Sequence, residues 1–399
     1  MKILMGSSYF PSHPGGLELV AGMLFQEFSA LGQEIVWMAG DVTPPPESVG
    51  RSRAVSLHIW NFVEDKTGIP FPIPSLKALK TIVREVRGAE VLVLHDCLYL
   101  SNIFAFLVAK WRGIPTVLIH HFGPVPYSNA ILAFLLALAN KVVTIQMFSR
   151  AAQVIFVGEV TRKFFSGVRF RTPPRVIFNP VDTDMFRPCD DCGTTRELRR
   201  QHGLPEDGIV VLYVGRFVER KGMAALRIMA KMRPNWTWVF AGWGPLDPNE
   251  WNLQNVRVFT GLRGETLAPL YRCGDLFVLP SAGEGGFPLV AREALASGLP
   301  VVCGRESIEA DPEMGTVAEG VEVYPLDADR TAGEFLAVIE RRIARGGKAD
   351  ARSEMRRAVL SRSSWRHAAE QYLEIIAATA WCAPLLPRTS AEPSKGERP

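Results

Sequence analysis

The sequence predicts an α/β protein of two doubly wound, Rossmann-like domains facing each other across a cleft. Three observations lead there. Apolar runs of strand length alternate with longer helix-like segments, the pattern of parallel strands covered on both faces. That alternation breaks once, at "FRPCDDCGTTRELRRQHGLPEDG" (186–208), and then restarts. Finally, 399 residues at 47% hydrophobic and 22% charged exceed what one such sheet needs and supply apolar material for two cores.

In the first half "KILMGS" reads as a strand and a helical pattern follows over about residues 17–31. "QEIVWMAG", "AEVLVLH", "IPTVLIHH", "AQVIFVG" and "PRVIFNP" continue the strand series. After the polar break come "IVVLYVGR", "WTWVFAG", "VRVFTG", "DLFVLPS" and "LPVVCG". The expected division is a first domain over 1–185, a linker over 186–208 and a second domain over 209–364. The last stretch, "APLLPRTSAEPSKGERP" (383–399), lacks apolar periodicity and is expected to be a disordered tail.

Bulk properties remove several function classes. A formal net charge of +4 is too small to argue for nucleic acid, though it suits anionic ligands or an anionic membrane face. The start, "MKILMGSSYF", reads as a strand and not as a secretory signal. The longest apolar stretch, "AILAFLLALAN", has about half the length of a membrane span and meets Lys141 at once. A cytoplasmic protein, soluble or peripheral, is the expectation. Of six dispersed cysteines, Cys189 and Cys192 form one CxxC with no second pair, so free thiols are expected in place of a zinc site.

Ligands of open α/β sheets bind beyond the carboxyl ends of the strands, so candidate site residues are those that follow each strand. Gly15 and Gly16 lie in the turn before the first helix; they fit close approach to an anion at a helix start, and equally a plain strand-to-helix turn. No GxGxxG follows, which counts against a dehydrogenase. His95, His120 and His121 end two strands of one sheet and would share a rim. "GRFVERKG" places Arg216 and Lys221 past a strand, a guanidinium fork and a mobile ammonium suited to phosphate oxygens. Gly242 and Gly244 follow the next strand. In "PSAGEGGFPLVAREALASGLPVV" (280–302) a glycine loop carrying Glu284 precedes a helix expected over about 288–297. Pro288 belongs in its first turn, Gly298 and Pro300 stop it, and Glu293 lies within it.

These stretches, with "HHFG", "IFNPVDTDMFRP" and "SSWRHAAEQYLEII", resemble in order the motifs of retaining GT-B nucleotide-sugar glycosyltransferases of the family 4 type, over about residues 1–380. The resemblance implies a hexosyltransferase moving a sugar from a nucleoside-diphosphate sugar to a glycan or lipid-linked acceptor, as in polysaccharide biosynthesis, with no metal or other cofactor. It also implies that a terminal helix (365–382) packs back toward the first domain. Gly15 and Gly16 then match the loop approaching the donor diphosphate, and His121 the strand-end histidine near the reacting sugar. Arg216 and Lys221 match the pair that neutralises the leaving diphosphate. Glu284 matches the glutamate near the donor sugar and Glu293 the one holding the ribose hydroxyls. Gly244, Gly286, Phe287, Pro288 and Leu289 complete the expected donor-binding set. The chain departs from the pattern in reading "EGGFP" where "EGFP" is usual, and in Pro180 where Gly is common.

Two other readings share the architecture: a nucleotide-sugar epimerase (or a phosphorylase), and a non-catalytic nucleotide-sugar-binding protein. Asp182-Thr183-Asp184 and Asp327-Ala328-Asp329 spell DxD, a metal-binding pattern in another glycosyltransferase architecture, but short acidic triplets arise readily by chance. For the acceptor side, "RKFFSGVRFRTPPR" offers Arg162, Lys163, Arg169, Arg171 and Arg175 with three phenylalanines. With the apolar run before Lys141 it fits peripheral contact with the inner face of a membrane, though a solvated basic loop beside a buried helix is the plainer reading.

Overall fold

A computed structural model describes residues 1–13, 15–62, 64, 71–123, 130–189, 192–345, 349–360 and 364–381. The expected tail, 383–399, and Cys382 lie outside the described residues.

The first sheet has seven parallel strands: β1 (Lys2–Gly6), β2 (Glu34–Gly40), β3 (Arg53–Leu57), β6 (Val91–His95), β7 (Thr116–His120), β8 (Gln153–Phe156) and β9 (Arg175–Val176). Their order is β3-β2-β1-β6-β7-β8-β9. A small antiparallel pair, β4 (Ile59–Trp60) with β5 (Ile73–Pro74), stands apart. The second sheet has six parallel strands: β10 (Val210–Arg216), β11 (Thr237–Trp243), β12 (Val256–Phe259), β13 (Leu276–Leu279), β14 (Val301–Gly304) and β15 (Ala318–Val321). These are ordered β12-β11-β10-β13-β14-β15. Every strand read from the sequence is present. The reading missed β3 and β15, whose sequences "RAVSL" and "AEGV" are incompletely buried edge strands without an apolar run.

Each sheet reverses direction once, between β1 and β6 in the first and between β10 and β13 in the second. Diverging crossovers leave a crevice at such switch points, so the segments after these four strands are where ligands fit. Three cores result. Two flank the first sheet, and one fills the second domain around Trp238, Tyr271 and Phe277.

The segment 186–208, expected as a linker, carries the helix Cys192–Gln201 and folds onto the second domain. Phe186 and Leu204 enter that core, and Arg199 donates to Cys273 O at 2.8 Å and to Asp275 Oδ2 at 2.8 Å. Its polar composition misled because the guanidinium, though buried, bonds three carbonyls and a carboxylate. The terminal helix Trp365–Trp381 packs in the other direction. Trp365, Ala368, Ala369, Tyr372 and Ile376 are buried with Ile3, Val20 and Leu24 in a core of the first domain. Both DxD triplets have local employment. Asp182 Oδ1 accepts from the Asp184 and Met185 amides, and Asp327 caps the helix Ala328–Ala344 through the Arg330 amide.

Candidate active site

The loop after β13 is pinned at four points. Gly283 N donates to Glu306 Oε2 at 2.9 Å, and the Glu284 carboxylate pairs with the Lys221 ammonium. The Glu284 backbone forms an antiparallel bridge with Phe122, and Gly285 O accepts from Thr161 Oγ1 at 2.6 Å. Two of these anchors belong to the first domain, so the loop joins the second sheet's switch point to the segments that follow β7 and β8 of the first.

This joint explains "EGGFP". A Cβ on Gly285 would overlap the His121 carbonyl oxygen and lie 2.8 Å from Gly123 N; one on Gly286 would lie 2.8 Å from Val157 O. Both glycines are required because backbone meets backbone across the domain boundary. Phe287 turns into the second core, its ring 5.3 Å from the Arg292 guanidinium. Pro288 is the N-cap of the helix Leu289–Ala296, one position earlier than the first-turn place expected. Its ψ of 135° is extended and not helical. Gly298 ends the helix at φ 74°. Leu289 reaches the first domain's core.

Lys221 and Glu284 face one another with little water, their side chains 13% and 14% exposed. Burial alone would raise the Glu284 carboxyl, but Lys221 and Arg220 outweigh it and hold it below the ordinary range. Burial lowers Lys221, and Glu284 opposes that shift. Gly222, at φ 74°, caps the helix Met223–Met232 in a conformation and a space that only glycine accepts, since a Cβ would overlap Pro280 O. Arg216 ends β10 half-buried, its guanidinium 5.9 Å from the Trp243 ring centroid. Gly244 packs against Phe217, where a Cβ would lie 2.6 Å from its carbonyl oxygen. A cavity of about 310 Å³ adjoins the turn, lined by Arg220, Pro280, Ala282 and Tyr324 among others, and contains neither Arg216 nor Glu284.

Glu293 is 7% exposed and accepts from Tyr271 Oη at 2.7 Å. Burial pushes its carboxyl up to about 7 and the tyrosine opposes this. On the first domain, Gly15 is the extended N-cap of the helix Gly16–Ala30. The Glu18 carboxylate folds over Gly15 so closely that a Cβ there would overlap it, whereas Gly16 meets only Leu289, 3.9 Å away. Burial raises Glu18 to about 7, against its own backbone amide, His13 and Arg216.

His95, Asp96, His120 and His121 form one buried group. Asp96 Oδ1 accepts from the His121 amide at 2.9 Å and lies 2.8 Å from His120 Nδ1, and His95 Nδ1 stands 3.0 Å from His121 Nε2. Nearby, Glu64 accepts from Tyr9 Oη at 2.6 Å and from Asn61 Nδ2 at 3.0 Å, and lies 3.1 Å from His13 Nε2. Burial would raise its carboxyl, yet His13, Tyr9 and Asn61 bring it down to about 2.

Sequence reasoning missed Glu18, Asp96, Tyr271 and the Glu64 group. Glu18 had a signal, an acidic residue in the first turn of a helix beginning at a glycine pair. Asp96 follows a strand directly and takes φ 63°, a backbone state that aspartate tolerates. Tyr271 and Glu64 had none, because Glu293 lies 22 residues from Tyr271 and Tyr9 and His13 lie 55 and 51 residues from Glu64 along the chain. The five basic residues of the segment 162–175 divide. Lys163, Arg169, Arg171 and Arg175 are exposed, and Arg162 pairs with Glu159 at 2.6 Å.

Two α/β domains, each with one parallel sheet that reverses strand order at a switch point, form the two-domain GT-B architecture. The family model for glycosyltransferase family 4 matches residues 14–185, and that for glycosyl transferases group 1 matches residues 208–341. The chain belongs to the GT-B glycosyltransferases of the family 4 type. It is 29% identical over 250 residues to a sulfoquinovosyl transferase of Arabidopsis thaliana, covering 59% of this chain and 48% of that one. It is 32% identical over 216 residues to a GDP-mannose-dependent alpha-(1-6)-phosphatidylinositol monomannoside mannosyltransferase of Mycolicibacterium smegmatis, covering 48% and 55%. The matched region thus spans about half the length of these curated relatives. Among solved structures, a sucrose-phosphate synthase of Thermosynechococcus elongatus aligns with a TM-score of 0.70 at 21% identity, over 95% of this chain and all of that one. HepE of Anabaena, solved with UDP-glucose, aligns at 0.69 and 16%, again over 95% of this chain and all of that one. These likenesses establish the fold.

Proposed function

We propose that the protein transfers a sugar from a nucleoside-diphosphate sugar to a hydroxyl of a glycan or lipid-linked acceptor, retaining the anomeric configuration. One observation carries the reading: the loop bearing Glu284, paired with Lys221 at the second domain's switch point, meets the segment after the His121 strand end of the first through its bridge to Phe122. Family membership and a GDP-mannose-dependent relative support the donor class.

In the proposed step the bond from the anomeric carbon to the phosphate oxygen breaks and the diphosphate leaves with the electron pair. The acceptor oxygen bonds the same face, and its proton passes to the departing phosphate. Charge grows on the phosphate, so Arg216, Lys221 and the amides opening the Leu289–Ala296 helix stabilise the transition state without a metal ion. Glu284 keeps Lys221 charged despite burial and balances the developing oxocarbenium centre. Gly16, where a Cβ would meet only Leu289, gives the diphosphate and sugar room to approach. Glu293 takes the ribose hydroxyls, a hydrogen-bonding task for a carboxylate already oriented by Tyr271. Gly15 joins Gly16 once the Glu18 carboxylate turns away.

The test is product analysis with purified protein, a panel of nucleotide sugars and simple glycan acceptors. The expected product keeps the donor's anomeric configuration and forms equally well with a chelator present. Glu284→Gln and Arg216→Ala should each lower turnover about a hundredfold or more. Near-normal transfer by Glu284→Gln would sink its assignment, and an inverted product would end the retaining mechanism.

For the acceptor side we propose peripheral contact with an anionic membrane. No helix among the described residues is long and apolar enough to cross a membrane. The helix Ala130–Ala139 and the π-helical segment Asn140–Thr144 that continues it nevertheless leave Phe134 67%, Leu135 53% and Val142 58% exposed. Exposed Phe164 and the four exposed basic side chains offer further contacts of the same kind. Co-sedimentation with vesicles containing anionic lipid should fall when Lys163, Arg169, Arg171 and Arg175 become glutamate. Binding indifferent to that reversal would exclude the contact.

A further inference from the structure

The His95–His121 contact decides where the protons of both rings lie. The rings are near-parallel at 22° with centroids 5.2 Å apart, and His95 Nδ1 stands 3.0 Å from His121 Nε2. The other nitrogen of His95, Nε2, is buried and finds no hydrogen-bond partner among the described residues. Burial holds His95 down to about 3 and His121 to about 4, so near neutral pH each ring carries a single N–H.

One proton lies between the two rings, and it can be donated in two directions. If His121 donates from Nε2, His95 must accept at Nδ1 and carry its own proton on Nε2. That leaves a buried N–H with nothing to bond, a state costing about 1–3 kcal/mol. If His95 donates from Nδ1, the unpartnered atom is a bare lone pair, which a protein interior tolerates more readily than an orphaned donor. The second arrangement leaves His121 accepting at Nε2, so its own proton sits on Nδ1. Asp96 does not hold His95, because Asp96 Oδ2 and His95 Nε2 are both without a hydrogen-bond partner among the described residues and His95 Nδ1 faces His121.

We infer that His95 is a positioning residue that locks His121 as the Nδ1–H tautomer, so that His121 meets the transferring sugar as a hydrogen-bond donor and not as a base. The contact with sugar rests on the function proposed above; the tautomer does not.

Long-range proton–nitrogen correlation NMR on protein labelled at the histidine rings reads the tautomer directly, with His121→Gln assigning the signal. An Nδ1–H pattern for His121 is expected, and an Nε2–H pattern or a fast mixture of the two would overturn the inference. Two variants test the consequence. His95→Asn places an amide N–H where Nδ1 stood and should preserve both the tautomer and most of kcat. His95→Leu should release His121 into exchange and lower kcat on the order of tenfold, with the acceptor KM little changed. Equal kcat losses in both would reduce His95 to packing. Unchanged kcat in both, beside an Nδ1–H spectrum, would remove the sugar contact while leaving the tautomer in place. If His95→Leu fails to fold by circular dichroism, the parent spectrum and His95→Asn still decide.

Discussion

Glu284 and Glu293 occupy one motif, yet their surroundings shift them in opposite directions. Glu293 is raised by burial from 4.5 to about 7, so the folded state holds its proton more tightly than the unfolded chain does. Its contribution is present in full below about 4.5 and is lost as pH rises through about 7, a penalty on the order of 3 kcal/mol. Glu284 is lowered, since Lys221 and Arg220 outweigh its burial, so its contribution stands above the unfolded value and is lost as pH falls. Denaturant unfolding across pH should therefore separate two variants. Glu293→Gln should flatten the decline between about pH 4.5 and 7 and gain stability at pH 8 relative to the parent. Glu284→Gln should lose stability at neutral pH, because Lys221 is left without its counter-charge. Parallel profiles would show that the two environments do not differ. Both glutamates were legible in the sequence; the mutual pairing of Lys221 with Glu284 was not, because an ion pair 63 residues apart leaves no local pattern.

At the level of elements, the motif's extra glycine has a structural cause. Gly285 meets the His121 carbonyl and Gly286 the Val157 carbonyl, so the loop is a backbone-to-backbone joint between domains. Gly285→Ala should keep the secondary structure of each domain and lower donor affinity and turnover together, because the joint must open to admit a Cβ. A circular dichroism spectrum matching the parent beside a tenfold or greater loss of kcat/KM is the expected result. Gly333 is the contrast. It is exposed within the helix Ala328–Ala344, and a Cβ there would meet nothing within 4 Å. Gly333→Ala should stabilise by about 0.5–1 kcal/mol, read as a higher Tm with unchanged activity. Buried strands announced themselves as apolar runs, while the edge strands β3 and β15 did not, because solvent on one side relaxes the demand for apolar side chains.

For the whole molecule, the terminal helix Trp365–Trp381 matters most, since it leaves the second domain and completes a core of the first. Ile376 is fully buried there beside Tyr372. Ile376→Ala should cost about 2–5 kcal/mol and loosen the first domain in particular. Hydrogen exchange that speeds in β1 and the helix Gly16–Ala30, with β10 and β13 protected as before, is the expected pattern; uniform loosening would mean the domains unfold as one. The sequence by itself determined the two α/β domains, the order of their buried strands and the strand-end places of Arg216, Lys221, His121 and Glu284. Those features are written in local pattern, since a strand buried on both faces must be apolar and the turns that follow it carry glycines and charges. Only the tertiary structure decided which strand ends meet. It closed the glycine loop against His121, set Glu284 on Lys221, Tyr271 on Glu293 and His95 on His121, and folded the polar segment 186–208 onto the second domain. Such pairings depend on distance in space, and burial then fixes their charge and tautomer.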